Sequence, residues 1–404
     1  MKTRLLITSA LIGLGIISQV GAAPNVVFVT GSTAYRSAVF AAVKALFDGG
    51  NPDFASRDGS HSNGDNANWM LFHGTISAAE TFVTCHWSGS EAGIASVAQP
   101  GSHPTFYLKT DGTVAYTSLT TFPSSSETNT SASTSDLAFA DSSQAVSLTP
   151  SPALVAMGTG TPAGSVGVVP FTWAKNNNNA SASNEWAHLT NITDAQARDA
   201  LTGPNIAALF TGNVSDTNQF VYVVGRNNGS GTRVDCLAAC RYGITKPVDQ
   251  WFIGGNPSDG TTLSLTEAIN DGYNSGSDVA SALKIPGSCA QTDPNFGNSG
   301  WVAIGYLGIS DAKTLVSNGG VLLTLNGIAE SNGAVEEGQY NFWNYEHEYG
   351  RVGISGFTQT FGNNLAAGIP SQIGGSNPAN QDTGIRLSFM NATKPSDVGD
   401  PAHN

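Results

Sequence analysis

The sequence predicts an α/β protein of two lobes, in which each lobe is a mainly parallel sheet flanked by helices. β-type runs and helical patterns alternate along the chain, as they do in folds built on parallel sheets. Two continuous apolar runs, V166-G-V-V-P-F-T-W-A and W301-V-A-I-G-Y-L-G-I, are typical of fully buried strands. Because these runs are far apart in sequence, we expect both to cross between the lobes. The second lobe would then span 171–305, and the first would combine 23–170 with 306–404.

Four of the β-type runs end in a short loop of Gly, Ser, Thr or Asp that opens a helix. These runs begin at Val26, Phe82, Leu137 and Phe220. Such loops offer backbone N–H groups and hydroxyls at a helix start, where an anion binds well. Only the fourth run also carries an arginine at the strand end, Arg226. The pattern predicts a protein that surrounds a small tetrahedral oxyanion with neutral dipoles and one guanidinium.

The remaining elements follow from periodicity and from turn residues. We expect helices over about 33–47, from 91 onward, and over 193–203 with a cap at its start. Three polar stretches are predicted to lie outside the sheet: surface excursions at 48–70 and from 176, and a mobile insertion at 108–136. Residues N344-Y-E-H-E-Y, around His347, are predicted to form a solvated helix face. The aromatic residues from Phe342 onward are expected to serve packing and not sugar binding.

Residues 1–22 have the pattern of a secretory signal peptide. Lys2 and Arg4 form a basic start, an apolar core runs from Leu5 to Ile17, and cleavage is expected after Ala22. No cysteine follows the cleavage site directly, so a lipid anchor is not expected, and no later apolar run has the roughly 18 residues of a membrane helix. The mature protein is therefore predicted to be periplasmic or secreted.

The net charge of the chain limits which classes of molecule are expected to bind it. The chain has 17 basic and 30 acidic residues, and its formal net charge is −13. A surface of this sign repels nucleic acid and anionic membranes, so neither is expected to be a partner. It also repels small anions at long range. An anion site must therefore depend on donors at short range.

The four cysteines are Cys85, Cys236, Cys240 and Cys289. An even count in an exported chain favours two disulfides. Cys236 and Cys240 have helical i,i+4 spacing, where a mutual bridge would be strained, so we expect each to pair with a distant cysteine. A zinc site with four cysteine ligands is the alternative, and the absence of a C-x-x-C pair disfavours it.

No sequence motif points to catalysis or to a cofactor. The seven histidines are scattered, and the chain contains no H-E-x-x-H pair and no G-x-S-x-G nucleophile elbow. The loop G229-S-G-T lacks the lysine of a nucleotide-binding P-loop. We therefore expect neither an enzyme nor a metal or cofactor site.

Taken together and in order, these motifs resemble the phosphate-specific solute-binding proteins of bacterial phosphate ABC importers, which belong to the type II periplasmic binding-protein superfamily. The most specific element is R226-N-N-G-S-G-T. The others are G31-S-T-A, W87-S-G-S-E-A-G-I, F139-A-D-S and the two apolar runs. The resemblance covers most of the mature chain. It implies a monomer with the two-lobed type II fold, which closes on one dehydrated phosphate and serves an ABC permease.

The resemblance also implies which residues bind the ligand. The implied ligand-binding residues are Thr33, Ala34, Ser90 and Asp141 in the first lobe, and Arg226, Ser230, Gly231 and Thr232 in the second. Asp141 would accept the proton of monohydrogen phosphate. A carboxylate in that place would repel sulfate, which carries no such proton.

One departure from the family pattern affects ligand choice. The family has a second acidic residue between the arginine and the Gly-Ser-Gly-Thr, where this chain has Asn228. An uncharged neighbour leaves Arg226 more positive and would relax discrimination against other oxyanions. Two alternatives stay open at this point. Ser90 and Asp141 would also make ordinary helix caps, and the chain would also fit a secreted structural protein that has lost tight binding.

Overall fold

The computed structural model of the protein describes most of the chain. The described ranges are 23–57, 65–99, 105–106, 131–149, 153–176, 184–255, 264–285, 301–374, 383–397 and 399–403. Within these ranges, no helix is both long and apolar enough to cross a membrane. The predicted signal peptide at 1–22 and most of the predicted insertion at 108–136 lie outside the described residues.

Strands and helices alternate through the described chain. The strands are β1 (Asn25–Gly31), β2 (Asp53–Arg57), β3 (Trp69–Ile76), β4 (Ala79–His86), β5 (Thr105–Phe106), β6 (Ser131–Ala132), β7 (Leu137–Ala140), β8 (Val155–Ala156), β9 (Ser165–Lys175), β10 (Asn191–Ile192), β11 (Asn205–Ile206), β12 (Phe220–Val224), β13 (Trp251–Gly254), β14 (Ser264–Glu267), β15 (Trp301–Gly308), β16 (Val321–Leu322), β17 (Thr324–Leu325), β18 (Trp343–Gly350), β19 (Ala392–Thr393) and β20 (Ala402–His403). The helices are α1 (Arg36–Leu46), α2 (Ser90–Ala98), α3 (Asn184–His188), α4 (Asp194–Ala200), α5 (Ala208–Thr211), α6 (Gly231–Ala239), α7 (Gly276–Leu283), α8 (Ile309–Val316), α9 (Asn332–Glu336) and α10 (Gly356–Gly368).

Twelve strands form one mixed sheet. Ten of them follow the order β11-β12-β15-β9-β18-β7-β1-β4-β3-β2 from edge to edge, while β16 pairs with β9 and β8 pairs with β18. Pairing is parallel where the predicted strand–helix units lie, between β1 and its neighbours β4 and β7 and between β12 and β15. It is antiparallel at the edges and around β9. The predicted α/β class is confirmed, with a sheet of mixed direction.

Strand β9 joins the two halves of this sheet. It pairs with β18 as far as Pro170, and from Phe171 onward it pairs with β15. All eleven of its residues are buried, as expected of a central strand covered on both faces. We call β1–β8 and β18 the first half, and β10–β17 the second half. The lobe boundaries predicted from the sequence stay a prediction. Helix α8 and strand β16 lie after residue 306, in the part of the chain that the sequence assigns to the first lobe, and both pack against β9.

Helix α1 shows why the first strand–helix unit folds as the sequence predicts. Val39 and Val43, one turn apart, are fully buried in the same core cluster as Val27 of β1 and Leu365 of α10. Each such side chain contributes roughly 1.5–3 kcal/mol when it leaves water. The helix begins at Arg36, three residues later than predicted.

The prediction for the segment around His347 is wrong. This segment is not a solvated helix face but strand β18, all eight residues of which are buried. Trp343, Tyr345, His347 and Tyr349 form consecutive ring contacts along one face. These residues recur with a period of two, which is the signal of a strand. Strands β7 and β9 pair with β18 along its two edges. The aromatic residues serve packing, as expected.

The predicted surface excursion at 48–70 is also wrong in part. Residues 53–57 form strand β2 at the edge of the sheet, antiparallel to β3. Phe54 packs against Phe40 of α1 and Phe72 of β3, with ring centroids 5.0 and 4.9 Å away. One large apolar side chain is enough to hold this polar segment on the core.

The predicted disulfides are wrong for the described cysteines. Cys85, Cys236 and Cys240 are free thiols, and Cys289 lies outside the described residues. Cys85 lies near the end of β4 with no exposure to solvent, and burial raises the pKa of its thiol. Buried thiols of this kind behave as small apolar side chains. The three described cysteines therefore serve packing and not cross-linking.

Candidate anion-binding site

Three loops of the first half lie side by side because β4, β1 and β7 are adjacent and parallel. The carboxyl ends of parallel strands meet at one edge of a sheet, which is where ligands bind in open α/β sheets. Backbone hydrogen bonds tie the loops together: Ser32 N–H donates to Phe139 O at 2.8 Å, and Gly89 N–H donates to Gly31 O at 2.9 Å. Gly31 has φ of +116°, and a Cβ there would lie 2.0 Å from Phe139 O. Only glycine fits this crossing.

Ser90 and Asp141 meet at this edge. Ser90 is the first residue of α2, and Asp141 follows β7 directly. The Ser90 hydroxyl donates to Asp141 Oδ1, and the Asp141 backbone N–H donates back to Ser90 Oγ at 3.3 Å. Both residues are 1% exposed. The two loops therefore present one hydroxyl and one carboxylate to the same buried point.

The loop between β12 and α6 reaches this point from the second half. Thr232 Oγ1 donates to Asp141 Oδ2 at 3.2 Å. Gly231 lies so close to Asp141 that a Cβ on it would come within 1.7 Å of Asp141 Oδ1 and 2.6 Å of Ser90 Oγ. Gly229 O accepts the N–H groups of Glu91 and of the residue after it, at 3.1 and 3.3 Å. The two halves are thus in direct polar contact here.

Ser230 caps the start of α6. Its side-chain oxygen accepts the backbone N–H of Arg233 at 3.3 Å. A hydroxyl that accepts one bond still has a proton to donate. Ser230 therefore serves as a helix cap and is buried beside the two residues that touch Asp141.

Arg226 is buried at the centre of the molecule, with 2% of its surface exposed. Its Nε donates to Tyr273 O at 3.3 Å, and its Nη2 donates to Asn274 O at 3.0 Å. These two carbonyls hold one edge of the guanidinium in place. A fixed guanidinium can donate parallel hydrogen bonds to an oxyanion without first losing side-chain freedom.

The backbone of Arg226 is held just as firmly. Its N–H donates to Tyr306 Oη at 3.1 Å, and the same hydroxyl donates to Gln250 Oε1. Its carbonyl accepts from Gln250 Nε2 at 3.0 Å and from Arg233 Nη1 at 3.2 Å. These hydrogen bonds to its backbone fix the arginine at the end of β12. None of them could be predicted from the sequence.

The electrostatics of the site are those of buried, mutually dependent charges. Burial lowers the pKa of Arg226, and the nearby Asp141 carboxylate opposes that effect. Burial raises the pKa of Asp141, while the hydrogen bond from Ser90 and the charge of Arg226 lower it. Burial also raises the pKa values of Asp235 and Glu346 well above their usual ranges, and the charge of Asp141 raises both further. An anion that binds here enters an environment that already disfavours negative charge. The hydrogen-bond donors that the protein offers to the anion must therefore be placed specifically.

Thr33 and Ala34 lie in the loop between β1 and α1, and they line a cavity of about 390 Å³ between the halves. Arg36, the first residue of α1, lines the same cavity. Of the residues predicted from the sequence, Ser90 and Asp141 lie in contact with the loop that begins at Arg226. It places Thr33 and Ala34 on the wall of the adjoining cavity. Their roles in ligand binding stay a prediction.

Sequence reasoning missed Arg36 and the groups that support Arg226. Arg36 follows the first loop by only two residues, so its proximity to the loop was a usable signal. Tyr273, Asn274 and Tyr306 carry no such signal, because the fold brings them to Arg226 from distant positions. Among the described residues, no group of three or more His, Cys, Asp or Glu side chains is placed to hold a metal ion.

The chain matches no known family by sequence, and no curated protein matches it significantly. Several solved structures have a similar fold. A protein assigned as a phosphate ABC transporter substrate-binding protein, with bound phosphate, from Clostridium perfringens is 16% identical and has a TM-score of 0.45, covering 90% of this chain and 100% of its own. An ABC-type phosphate transport receptor from Vibrio cholerae is 13% identical with a TM-score of 0.41, covering 84% and 93%.

PstS from Borrelia burgdorferi is 13% identical with a TM-score of 0.33, covering 86% of this chain and 93% of its own. Because these TM-scores lie below 0.5, we base the function on the geometry of the site. The structural neighbours themselves are substrate-binding proteins for phosphate transport.

Proposed function

We propose that the protein is an exported solute-binding protein that captures phosphate, or a similar tetrahedral oxyanion, between its two halves for uptake by an ABC permease. The observation that carries this proposal is the buried polar contact between the two halves at Asp141, whose charge acts on the nearby Arg226. Ser90 and Asp141 come from the first half, and Thr232 comes from the second. One guanidinium, several hydroxyls and helix-start N–H groups are the donors that a dehydrated oxyanion requires.

The carboxylate of Asp141 near Arg226 supports phosphate over an anion that carries no proton. A carboxylate repels an oxyanion unless the oxyanion carries a proton to share. Monohydrogen phosphate carries such a proton near neutral pH, whereas sulfate does not. Asp141 is then the acceptor of that proton, and Arg226 with the hydroxyl of Ser230 supplies donors, while Thr232 would have to turn its hydroxyl from Asp141 to donate to the ligand.

The test is titration calorimetry of the purified protein with inorganic phosphate. The wild type is expected to bind saturably, and Arg226→Ala is expected to abolish binding. Arg226→Lys keeps the charge but loses the forked donor geometry, so it is expected to bind weakly. Arg241→Ala is the matched control, because Arg241 is exposed and forms an ion pair with Asp400 on the surface.

Circular dichroism of each variant checks that the fold is intact. Phosphate affinity that survives Arg226→Ala in a folded protein would show that the binding site is elsewhere. A folded wild-type protein without saturable binding of phosphate or sulfate would instead favour a secreted structural protein on this fold.

A further inference from the structure

Glu346 is a buried acidic residue beside the candidate site that the proposed function does not use. It lies in the middle of β18, and none of its surface is exposed. Neither of its carboxyl oxygens has a hydrogen-bond partner in the described part of the protein. Because buried polar groups nearly always have partners, a carboxyl of this kind points to a functional role or to an uncharged state.

The antiparallel pairing of β18 with β7 sets Glu346 opposite Asp141. At this end of the ladder, His347 pairs with Ala140. Asp141 follows Ala140 and Glu346 precedes His347, so the same register brings the two acidic residues face to face. Opposite residues of antiparallel strands point to one face, with Cβ atoms about 4.5–5.5 Å apart. After burial, the charge of Asp141 is the main influence that raises the pKa of Glu346.

The loop between β1 and α1 adds two buried hydroxyls to Glu346. Ser32 and Tyr35 have no exposed surface, and neither hydroxyl has a hydrogen-bond partner among the described residues. Burial and then the charge of Glu346 raise the pKa of Tyr35, while the nearby Ser32 hydroxyl lowers the pKa of Glu346. Gly167 of β9 lies opposite Glu346, and a Cβ on it would come within 2.0 Å of the Tyr35 hydroxyl. The three side chains therefore form one buried polar cluster.

The other elements that pack against β18 leave Asp141 as the charge that acts on Glu346. Helix α2 carries Glu91, whose carboxylate already accepts hydrogen bonds from two serine hydroxyls and a backbone N–H. Helix α10 contains no titratable residue. On β18 itself, His347 points to the opposite face, and Tyr349 has its pKa raised chiefly by burial.

The hydrogen bonds indicate which of the two carboxyls carries a charge. Asp141 accepts from the Ser90 hydroxyl and, at 3.2 Å, from Thr232 Oγ1. Burial raises the pKa of Asp141, but the bond from Ser90 and the charge of Arg226 lower it. Glu346 has no such donor. Because donors and a nearby cation stabilise the ionised form, the charge belongs on Asp141 and the proton on Glu346.

We infer that Glu346 is a positioning residue of the anion site: it holds the single proton of a carboxyl pair, so that Asp141 stays ionised as the acceptor for the ligand. The inference rests on the proposed function, in which Asp141 accepts the proton of monohydrogen phosphate. If Glu346 were the charged member, Asp141 would hold the proton. Asp141 would then be a donor and would no longer discriminate against an anion that carries no proton.

The test is infrared difference spectroscopy of the purified protein before and after inorganic phosphate is added. A protonated carboxyl gives a C=O stretching band that is separate from the bands of carboxylates. We expect Glu346→Gln to lose one such band. In the wild type, phosphate should shift the same band, because a negative charge enters beside the pair. Protein made with isotope-labelled glutamate identifies the shifting band as that of a glutamate and not of Asp141.

Glu348→Gln is the matched control. Glu348 lies on the same strand, is equally buried and has no partner for either carboxyl oxygen in the described part of the protein. Burial raises its pKa without a contribution from Asp141. The Glu348→Gln variant should therefore lose a band of its own and keep the shift that phosphate causes.

Three results would overturn the inference and leave the proposed function intact. The first is a wild type that binds phosphate in calorimetry without any shift of a protonated glutamate band. The second is a shift that persists in Glu346→Gln, and the third is a shift that belongs to an aspartate. If Glu346→Gln does not fold, the labelled wild type still separates these results. Failure of the wild type to bind phosphate would instead refute the proposed function.

Discussion

Replacing Gly231 with alanine tests whether the two halves meet in the binding-competent arrangement as they do in this structure. The new Cβ would come within 1.7 Å of Asp141 Oδ1 and 2.6 Å of the Ser90 side chain. Contacts this short force the first half away from the second. Gly231 is the first residue of α6, where alanine is compatible with helix, so the change should not destabilise the second half by itself.

We expect the free-energy cost of this substitution to fall on the arrangement in which the two halves are in contact, and not on either half by itself. Overpacking of a tight interior typically costs about 1–3 kcal/mol, which corresponds to an affinity about five- to 150-fold weaker. Titration calorimetry with inorganic phosphate measures this loss. A thermal melt without phosphate checks that the fold is retained.

The chain provides a matched control two residues earlier. A Cβ on Gly229 would meet its nearest atoms, Ala92 Cβ and Asn227 Oδ1, at 3.5 Å, an ordinary van der Waals distance. Gly229→Ala is therefore expected to bind phosphate much as the wild type does. If Gly231→Ala and Gly229→Ala had the same affinity, the close contact of Gly231 with Asp141 would play no part in ligand capture.

Three further predictions concern selectivity, pH and a helix cap. Asp141→Asn removes the proton acceptor, so the preference for phosphate over sulfate should fall by about tenfold or more in competition calorimetry; an unchanged preference would exclude Asp141 from the discrimination. Burial raises the pKa of Glu348 well above its usual range, and neither carboxyl oxygen has a hydrogen-bond partner in the described part of the protein. The ionised form therefore destabilises the fold, and stability is lost as pH rises through the folded-state pKa. In melts recorded across pH, Glu348→Met should raise the melting temperature at neutral pH and reduce its pH dependence, and a lowered one would contradict this account. Thr193 and Gln196 form a capping box at the start of α4, so Thr193→Ala should lower the free energy of unfolding by about 1 kcal/mol in urea titrations.

The sequence predicted the strand–helix units because their signals are local. The loops after β1, β4, β7 and β12 were each recognisable from an apolar run that ends in small polar residues. Adjacent parallel strands then bring three of these loops together, which is a consequence of topology. The buried contact of Asp141 with Thr232 does not follow from strand adjacency, because β15, β9 and β18 separate β12 from β7 in the sheet.

The errors arose where tertiary structure overrides local pattern. The charged residues around His347 suggested solvent, yet this segment is a central strand, paired with β7 and β9 and contacted by helices α2 and α10. The even number of cysteines suggested bridges, yet Cys85 is a core residue of β4. The carbonyls that hold Arg226 are backbone groups of Tyr273 and Asn274. Nothing in the type of these two residues indicates such a role in the sequence.

The sharing of β9 by both halves has a consequence for unfolding. One uninterrupted strand supplies hydrogen bonds to β18 on one side and to β15 on the other, so removing it would leave each half with an unpaired central edge. Neither half can then melt while the other keeps its full ladder. Heating should consequently give a single cooperative calorimetric transition, with neither half behaving as an autonomous folding unit.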